Sequence, residues 1–420
     1  MLFRKIESLI ENHFRSGSKK ILLVDGARQV GKTYIIRHVA QNMFENFIEI
    51  NMIEDSLGDR LFAEIRTVED FYLQVRMQKK ENTLIFIDEI QAYPHLLTLL
   101  KFLSQDDKFT YVASGSLLGV TLAKTTSIPI GSIRKVRMFP LDFEEFLFAN
   151  GMNETVISAM RQKFDKLESL EESMHDKMMD LFRKYLLVGG MPDAVNAYVQ
   201  DKNIRSVREI QSEIHEYYAA DASKYEADRR LTIRRIYDMI PSNMENKKKR
   251  IVVQNIENKR GKTFRDYQEE FEYLINAGVV SSVQAISNPV FPLIESAGKN
   301  LLKLYLNDVG ILTGILYGNN IRAILDDQPS VNLGSVYETV VANELKAHGY
   351  KLFYYDNRSK GEVDYLIDDY NSLSTVPIEV KSGKDYSIHS ALNHFVNNED
   401  YHIKKAFVLS NERTVQQKEK

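Results

Sequence analysis

Residues 26–33 read Gly-Ala-Arg-Gln-Val-Gly-Lys-Thr, close behind the apolar run Ile21, Leu22, Leu23 and Val24 and ahead of the helix-like stretch 34–40. A buried strand that ends in a glycine-punctuated loop and restarts as a helix constrains the fold more than any other feature of the chain. It fits G-x-x-x-x-G-K-[ST] in the strand–loop–helix context that a phosphate-binding loop requires. Gly26 and Gly31 let the backbone curl, so that the N–H groups of the loop, through Ala27, Arg28, Gln29 and Val30, turn toward phosphate oxygens. The helix N-terminus behind them adds partial positive charge. In this pattern Lys32 reaches the β- and γ-phosphates and the Thr33 hydroxyl holds Mg²⁺. The expected ligands are therefore ATP and Mg²⁺. A chance match is the competing reading, and the flanking strand and helix argue against it.

Composition narrows what else the chain can do. At 420 residues it has room for several domains, each with a sizeable core. Its formal net charge of −3 gives no overall electrostatic footprint for nucleic acid, so any such contact must come from a local patch. With no cysteine, disulfides and thiolate metal sites are excluded. The first fourteen residues alternate charge with apolar positions in an amphipathic pattern and lack the apolar segment of a signal peptide. No window approaches the roughly 18 apolar residues of a membrane span. The expectation is a cytoplasmic protein with no membrane partner.

Along the chain, short apolar strands at 21–24, 47–51, 84–87 and 109–113 alternate with helices, which predicts a parallel sheet covered on both faces. The first domain is placed at 1–150 and a charged, helical extension at 151–220. A third region, 221–310, holds helices and a strand-like segment near 279–283. The last, 311–420, is mixed α/β, with a helix at 335–348 and strands near 352–355, 363–367, 376–380 and 406–409.

The fate of the nucleotide depends on a second motif. Leu84, Ile85, Phe86 and Ile87 lead into Asp88 and Glu89, two carboxylates at the C-terminal end of a buried strand, where parallel sheets place their ligands. Asp88 is the expected Mg²⁺ partner, and Glu89 the group that orients and deprotonates the attacking water. Ser114, at the end of the 109–113 strand, is the candidate sensor of the γ-phosphate, although serine and glycine are also ordinary turn residues. Arg134 and Arg137 are candidates for an arginine finger, and Arg28 can face either a phosphate or a neighbour.

These runs, with PLDFEEFL at 140–147, VGGMPDAV at 188–195, ADASKY at 220–225, LKLYLNDVGIL at 302–312 and GEVDYLID to PIEVKSG at 361–383, resemble a large prokaryotic family of AAA-type ATP-binding proteins. In that family a P-loop core precedes a domain of unknown function, and the resemblance covers nearly the whole chain. Members often carry Gly-Arg where this chain has Gly131-Ser132, and they usually continue past the last strand, whereas this chain ends in the charged stretch 411–420. The resemblance implies that 221–310 is winged-helix-like. Its basic residues, Lys247, Lys248, Lys249 and Arg250, then Lys259, Arg260, Lys262 and Arg265, are either a solvated loop or a non-specific phosphate contact, with the solvated loop favoured. The helix read at 264–277 carries Asp266, Glu269, Glu270 and Glu272, which would repel a DNA groove, while Tyr267, Phe271, Leu274 and Ile275 face a core. His38, His95 and His215 lack metal-ligand spacing.

The last region carries a second constellation. Asp364 lies on one strand, and Glu379 and Lys381 lie on one face of the next, fifteen residues on; Glu338 lies on the preceding helix. This is the layout of a restriction-endonuclease-like, PD-(D/E)XK, site, in which Asp364 and Glu379 ligate Mg²⁺, Lys381 polarises water or the scissile phosphate, and Glu338 assists. The chain thus reads as an α/β protein: a P-loop ATPase core, a helical and winged-helix-like region, and a small mixed α/β endonuclease-like domain. Two functions stay open. One is an ATPase motor or switch coupled to a nuclease acting on DNA. The other is a nucleotide-gated scaffold whose nuclease-like module is inactive and only binds a partner. Assembly with copies of itself or with a protein partner is expected to complete the ATP site.

Overall fold

The computed structural model describes residues 1–75, 82–116, 118, 131–222, 229–246, 249–257, 261–297, 301–326, 333–357, 361–382 and 390–417. Lys247, Lys248, Lys259, Arg260, residues 223–225 of the ADASKY run and Gly383 lie outside them. No helix among the described residues is long and apolar enough to cross a membrane. The chain divides into two compact units, one built mainly from residues 3–139 and the other from 140–275 and 279–420.

The first unit is a five-stranded parallel sheet. Its strands are β1 (Ile21–Asp25), β2 (Asn46–Asn51), β3 (Thr83–Asp88), β4 (Thr110–Gly115) and β5 (Ile133–Arg137), in the order β2-β3-β4-β1-β5. β1 and β3 are buried at every position, as expected of strands covered on both faces. Helices Lys32–Met43 and His95–Leu103 supply part of that cover through Ile35, Ile36 and Val39, and through Leu96, Leu97, Leu99 and Leu100. β5 was not expected. Its sequence, Ile-Arg-Lys-Val-Arg, leaves Arg134 and Lys135 exposed, the charged habit of an edge strand.

The second unit opens with helices, among them Phe143–Ala149, Glu154–Asp165, Glu172–Val188, Pro192–Asp201 and Ile204–Ala222. A six-stranded mixed sheet follows: β6 (Val280–Ile286), β7 (Leu302–Leu306), β8 (Phe353–Asn357), β9 (Gly361–Asp369), β10 (Ser374–Val380) and β11 (Phe407–Leu409), in the order β11-β10-β9-β8-β6-β7. β6 pairs in parallel with β8, so strands from either side of residue 310 share this sheet. The segment read as one helix over 264–277 is a tight turn at Phe264–Tyr267 followed by helix Gln268–Asn276; its Tyr267, Phe271 and Leu274 are buried.

The motifs at 140–147, 188–195 and 302–312 pack on one another in this unit. The Leu141 N–H donates to the Gly190 carbonyl at 2.7 Å, and the Gly190 N–H donates to Asp308 at 2.6 Å. A Cβ on Gly190 would sit 2.0 Å from the Leu141 carbonyl oxygen, so the approach admits only glycine. Buried Arg208 closes the junction, donating to the carbonyls of Leu187 and Gly310 at 3.1 Å.

Candidate functional site

β1 delivers the phosphate loop into the Lys32–Met43 helix. Gly31 caps that helix with φ 96°, and Gln29 before it has φ 63°, so the loop turns through left-handed backbone. Gly26 is demanded by proximity, since an added Cβ would stand 2.4 Å from the Met138 carbonyl oxygen. Arg4, ahead of the N-terminal helix Lys5–Arg15, is buried and donates to the Val30 carbonyl at 2.9 Å and to the Phe139 carbonyl at 2.6 Å. It braces the loop from outside, and nothing in its own neighbourhood of the sequence signals this role.

Within the loop, Ala27 and Val30 are buried, Arg28 is half-buried and Gln29 is exposed. Lys32 is buried, and its ammonium donates to the carbonyls of Gly26 at 3.1 Å and Ala27 at 2.8 Å. Burial lowers its pKa, and the carboxylates of Glu89, Asp25 and Asp88 oppose the shift.

Asp88 is the meeting point of three elements. Its Oδ2 accepts the Thr33 hydroxyl at 2.8 Å, while its Oδ1 accepts the Ser114 hydroxyl and the Glu89 N–H, the latter at 3.0 Å. Because β4 lies between β1 and β3, Ser114 at its end is delivered beside the carboxylate. Burial raises the Asp88 pKa, and the bonds from Ser114 and Thr33 hold it back. A hydroxyl and a carboxylate in contact form a hard oxygen donor pair, which fits Mg²⁺.

Glu89 sits in left-handed backbone at φ 52°, uncommon outside glycine and asparagine and often found at functional positions. Its Oε2 accepts from the Gln91 amide and from the Ser116 hydroxyl, the latter at 3.0 Å. Gln91 also reaches Ser116 at 3.3 Å, while its own Oε1 is buried without a hydrogen-bond partner. Of the arginines considered as a finger, Arg137 is engaged with buried Asp25 at 2.9 Å beside Lys135 at 3.0 Å, and Arg134 is exposed. The role of Asp25 was not read from the sequence; a lone acid between strand and loop carries no signal by itself.

The second unit brings together the other constellation. The register of β9 against β10 pairs Tyr365 with Ile378, which sets Asp364 and Glu379 across from each other one step further along. Val380 N–H donates to Asp364 Oδ2 at 2.9 Å, and Lys381 donates to Glu379 Oε1 at 2.8 Å. Glu338, on helix Gly334–Ala347, is buried and accepts from Lys249 on Oε1 and from the Tyr305 hydroxyl on Oε2 at 3.2 Å. Burial, with Glu338 and Glu379 beside it, pushes the Asp364 pKa far above the usual carboxylate range, and Lys303 opposes the shift.

Two lysines of this cluster were not anticipated. Lys303 on β7 is buried, passes over the Tyr354 ring at 4.7 Å and pairs with Glu362 at 2.5 Å. Lys249 corrects the reading of the basic run as a solvated loop: its side chain is 16% exposed and rests on Glu338, while Arg250 pairs with Asp356 at 3.3 Å. Lys262, by contrast, pairs locally with Asp266 at 3.1 Å. Lys249, Lys303 and Lys381 thus each pair with a carboxylate of the cluster, Glu338, Glu362 and Glu379 respectively.

This arrangement does not fit a divalent ion as it stands. The carboxylates of Glu338 and Glu379 are taken up by ammonium groups, and Glu379 Oε2 is buried without a partner. Among the described residues, the three groups whose ligand atoms all lie within 4.8 Å of one another are elsewhere, at Asp142, Glu344 and His348. They already serve the fold: Asp142 caps the Phe143–Ala149 helix, and Glu344 accepts the Phe143 N–H at 2.7 Å.

Residues 18–147 match the family described as AAA domain. Residues 179–320 and 333–420 match two separate domains of unknown function. No curated protein matches the chain. Among solved structures, it is similar to a Walker-type ATPase of Pyrococcus abyssi at 15% identity, covering 74% of this chain and 95% of that one with a TM-score of 0.43. The Aeropyrum pernix ORC1 protein in complex with DNA matches at 12% identity, over 78% of this chain and 93% of that one, with a TM-score of 0.32. The Thermotoga maritima RuvB Holliday junction branch migration motor matches at 15%, over 67% and 89%, with a TM-score of 0.31. The phosphate loop, Asp88, Glu89 and Ser114 all lie within the residues that match the AAA domain.

Proposed function

We propose that this chain, whose residues 18–147 match an AAA domain, is a Mg²⁺-dependent ATPase working as a motor or switch for the module in its second unit. The observation that carries this reading is Asp88, held on one oxygen by Thr33 and on the other by Ser114, with Lys32 and Glu89 close by. In the proposed reaction Lys32 places its ammonium on the β- and γ-phosphates, and Thr33 and Asp88 hold the metal. Mg²⁺, when bound, neutralises phosphate charge. Glu89 accepts the proton of the attacking water on a carboxylate oxygen, in the position set by Gln91 and Ser116. Ser114 ties the state of Asp88 to the terminal phosphate. The test is ATP turnover by the purified chain. Lys32→Ala should abolish ATP binding, whereas Glu89→Gln should bind ATP and hydrolyse it at least about tenfold more slowly. Turnover by Glu89→Gln at the parent rate would remove Glu89 from the mechanism.

A second reading concerns the acidic module. The convergence of Glu338, Asp364, Glu379 and Lys381 favours a nuclease-like site acting on DNA. The pairing of Lys249 and Lys303 with its carboxylates favours a module that binds a partner without cleaving it. Metal-dependent cleavage of single- and double-stranded DNA, with and without ATP, separates the two.

A further inference from the structure

A short stretch far from the phosphate loop in sequence lies against it. Residues 276–278 group with the first unit, although the chain up to 275 and from 279 belongs to the second. Gly278 has φ 76°, and a Cβ on it would stand 3.2 Å from the nitrogen of Ala27, the residue that follows Gly26 in the loop. The left-handed backbone and the close approach both favour glycine. Two positions earlier, the Asn276 carbonyl accepts from Arg137 Nη2 at 3.1 Å. The same guanidinium donates to Asp25 at 2.9 Å, so one cation grips both the end of the strand that enters the loop and the segment that touches it. Asn276 is also the last residue of helix Gln268–Asn276, where the final carbonyls lack partners within the helix and attract positive charge.

We propose that residues 276–278 form a clasp that senses the nucleotide state of the phosphate loop, with Gly278 against the Ala27 peptide and Arg137 as the positioning residue that keeps the clasp seated. The inference rests on the ATP-binding reading above and deepens it by naming how that site is coupled to the rest of the chain. Without nucleotide, the Lys32 ammonium rests on the Ala27 carbonyl at 2.8 Å. When Lys32 turns to the β- and γ-phosphates, that carbonyl loses its donor and the Ala27 peptide is free to rotate. Gly278 has no side chain to absorb the movement. The shift passes into a segment continuous with helix Gln268–Asn276 on one side and with β6 on the other. By linkage, whatever restrains that helix or β6 in the clasped position changes ATP affinity by the same factor.

The test is hydrogen exchange of the full-length chain, read by mass spectrometry, with and without the β,γ-imido analogue of ATP and Mg²⁺. In the parent, the analogue should change exchange over 273–283 at least about fivefold, alongside protection of the loop over 21–37. At saturating analogue, Arg137→Met should keep the loop protection and lose the response over 273–283, and Arg137→Lys should restore part of it. Gly278→Ala presses on Ala27 and should weaken analogue binding at least about fivefold. A protected loop in the parent with no change over 273–283 would overturn the clasp and leave the ATP site standing. No protection of the loop would remove the ATP-binding reading and the clasp with it. An undiminished response in Arg137→Met would strike out Arg137 as the positioning residue. Asp25 keeps Lys135 at 3.0 Å when Arg137 is removed. Should that variant still fail to fold, the parent's exchange and Gly278→Ala decide, and Gly278→Ala binding the analogue as tightly as the parent would overturn the proposal.

Discussion

Ser114 donates its hydroxyl to Asp88 across the boundary between two neighbouring strands, so the candidate sensor and the candidate metal ligand form one hydrogen-bonded unit. Thr33 completes it from the other oxygen of Asp88. In the sensor role proposed for Ser114, a change at the terminal phosphate would reach the carboxylate through this bond. Burial makes that carboxylate expensive to ionise, and this leads to the first expectation.

The Asp88 pKa is raised by burial above the ordinary carboxylate value. A group shifted upward stabilises the fold below its unfolded pKa, and that contribution is lost as pH rises through the folded value. Above its raised pKa, ionised Asp88 therefore costs the free protein stability. Asp88→Asn should raise the melting temperature of the nucleotide-free chain by roughly 2–4 °C, while MgATP should no longer stabilise it. A fall in melting temperature in scanning fluorimetry would contradict this account.

Gln91 holds Glu89 by its amide without being placed on the nucleotide. Gln91→Ala should lower kcat about tenfold and leave ATP affinity within about twofold, the pattern of a residue that positions a base. Gln91→Asn should recover part of the loss. Steady-state kinetics paired with a binding titration decide it, and an effect confined to KM would reject the positioning role.

Arg4 reaches the loop from the N-terminal side, through the Val30 carbonyl. Arg4→Ala leaves buried carbonyls without a charged donor, at about 1–3 kcal/mol. ATP affinity should weaken about fivefold or more, with Lys32 and Asp88 untouched. Unchanged affinity by fluorescent-nucleotide titration would show that the loop keeps its shape unaided.

How far the sequence carried the fold depended on whether a signal was local. β1 and β3 were legible because strands buried on both faces read as unbroken apolar runs, and the spacing of Asp364, Glu379 and Lys381 was legible because strand periodicity is two. β5 was missed because an edge strand carries charge. Lys303 in Leu-Lys-Leu-Tyr-Leu looks like the solvent-facing residue of a half-buried strand, yet it is buried because Glu362, distant in sequence, receives it. Lys249 and Arg250 belong to the same class: their partners lie 89 and 106 residues away, and no local pattern encodes such a pairing.

Asp308 gives a pH expectation for the second unit. Burial pushes its pKa up to about 6, against the pull of the Gly190, Ile311 and Gly310 N–H groups and of Arg208. Its stabilising contribution is present below the unfolded carboxylate pKa and is lost as pH rises toward about 6, a change of about 3 kcal/mol. Asp308→Asn keeps an acceptor for the Gly190 N–H and removes the titration. Relative to the parent, it should gain stability between pH 4 and 6 and level off above that. Parallel urea melts over this range test it, and parent and variant curves that stay parallel would exclude Asp308 as the source.

The place of β4 between β1 and β3 also fixes a length. Neighbouring strands stand about 4.8 Å apart, so the ends of β1 and β3 lie about two such steps, close to 10 Å, from each other. The 2.8 Å contact between Thr33 and Asp88 is therefore made by a loop and two side chains reaching past the end of β4, not by the strands themselves. The intervening strand puts Ser114 beside that bridge, and side-chain reach, rather than sheet spacing, closes it.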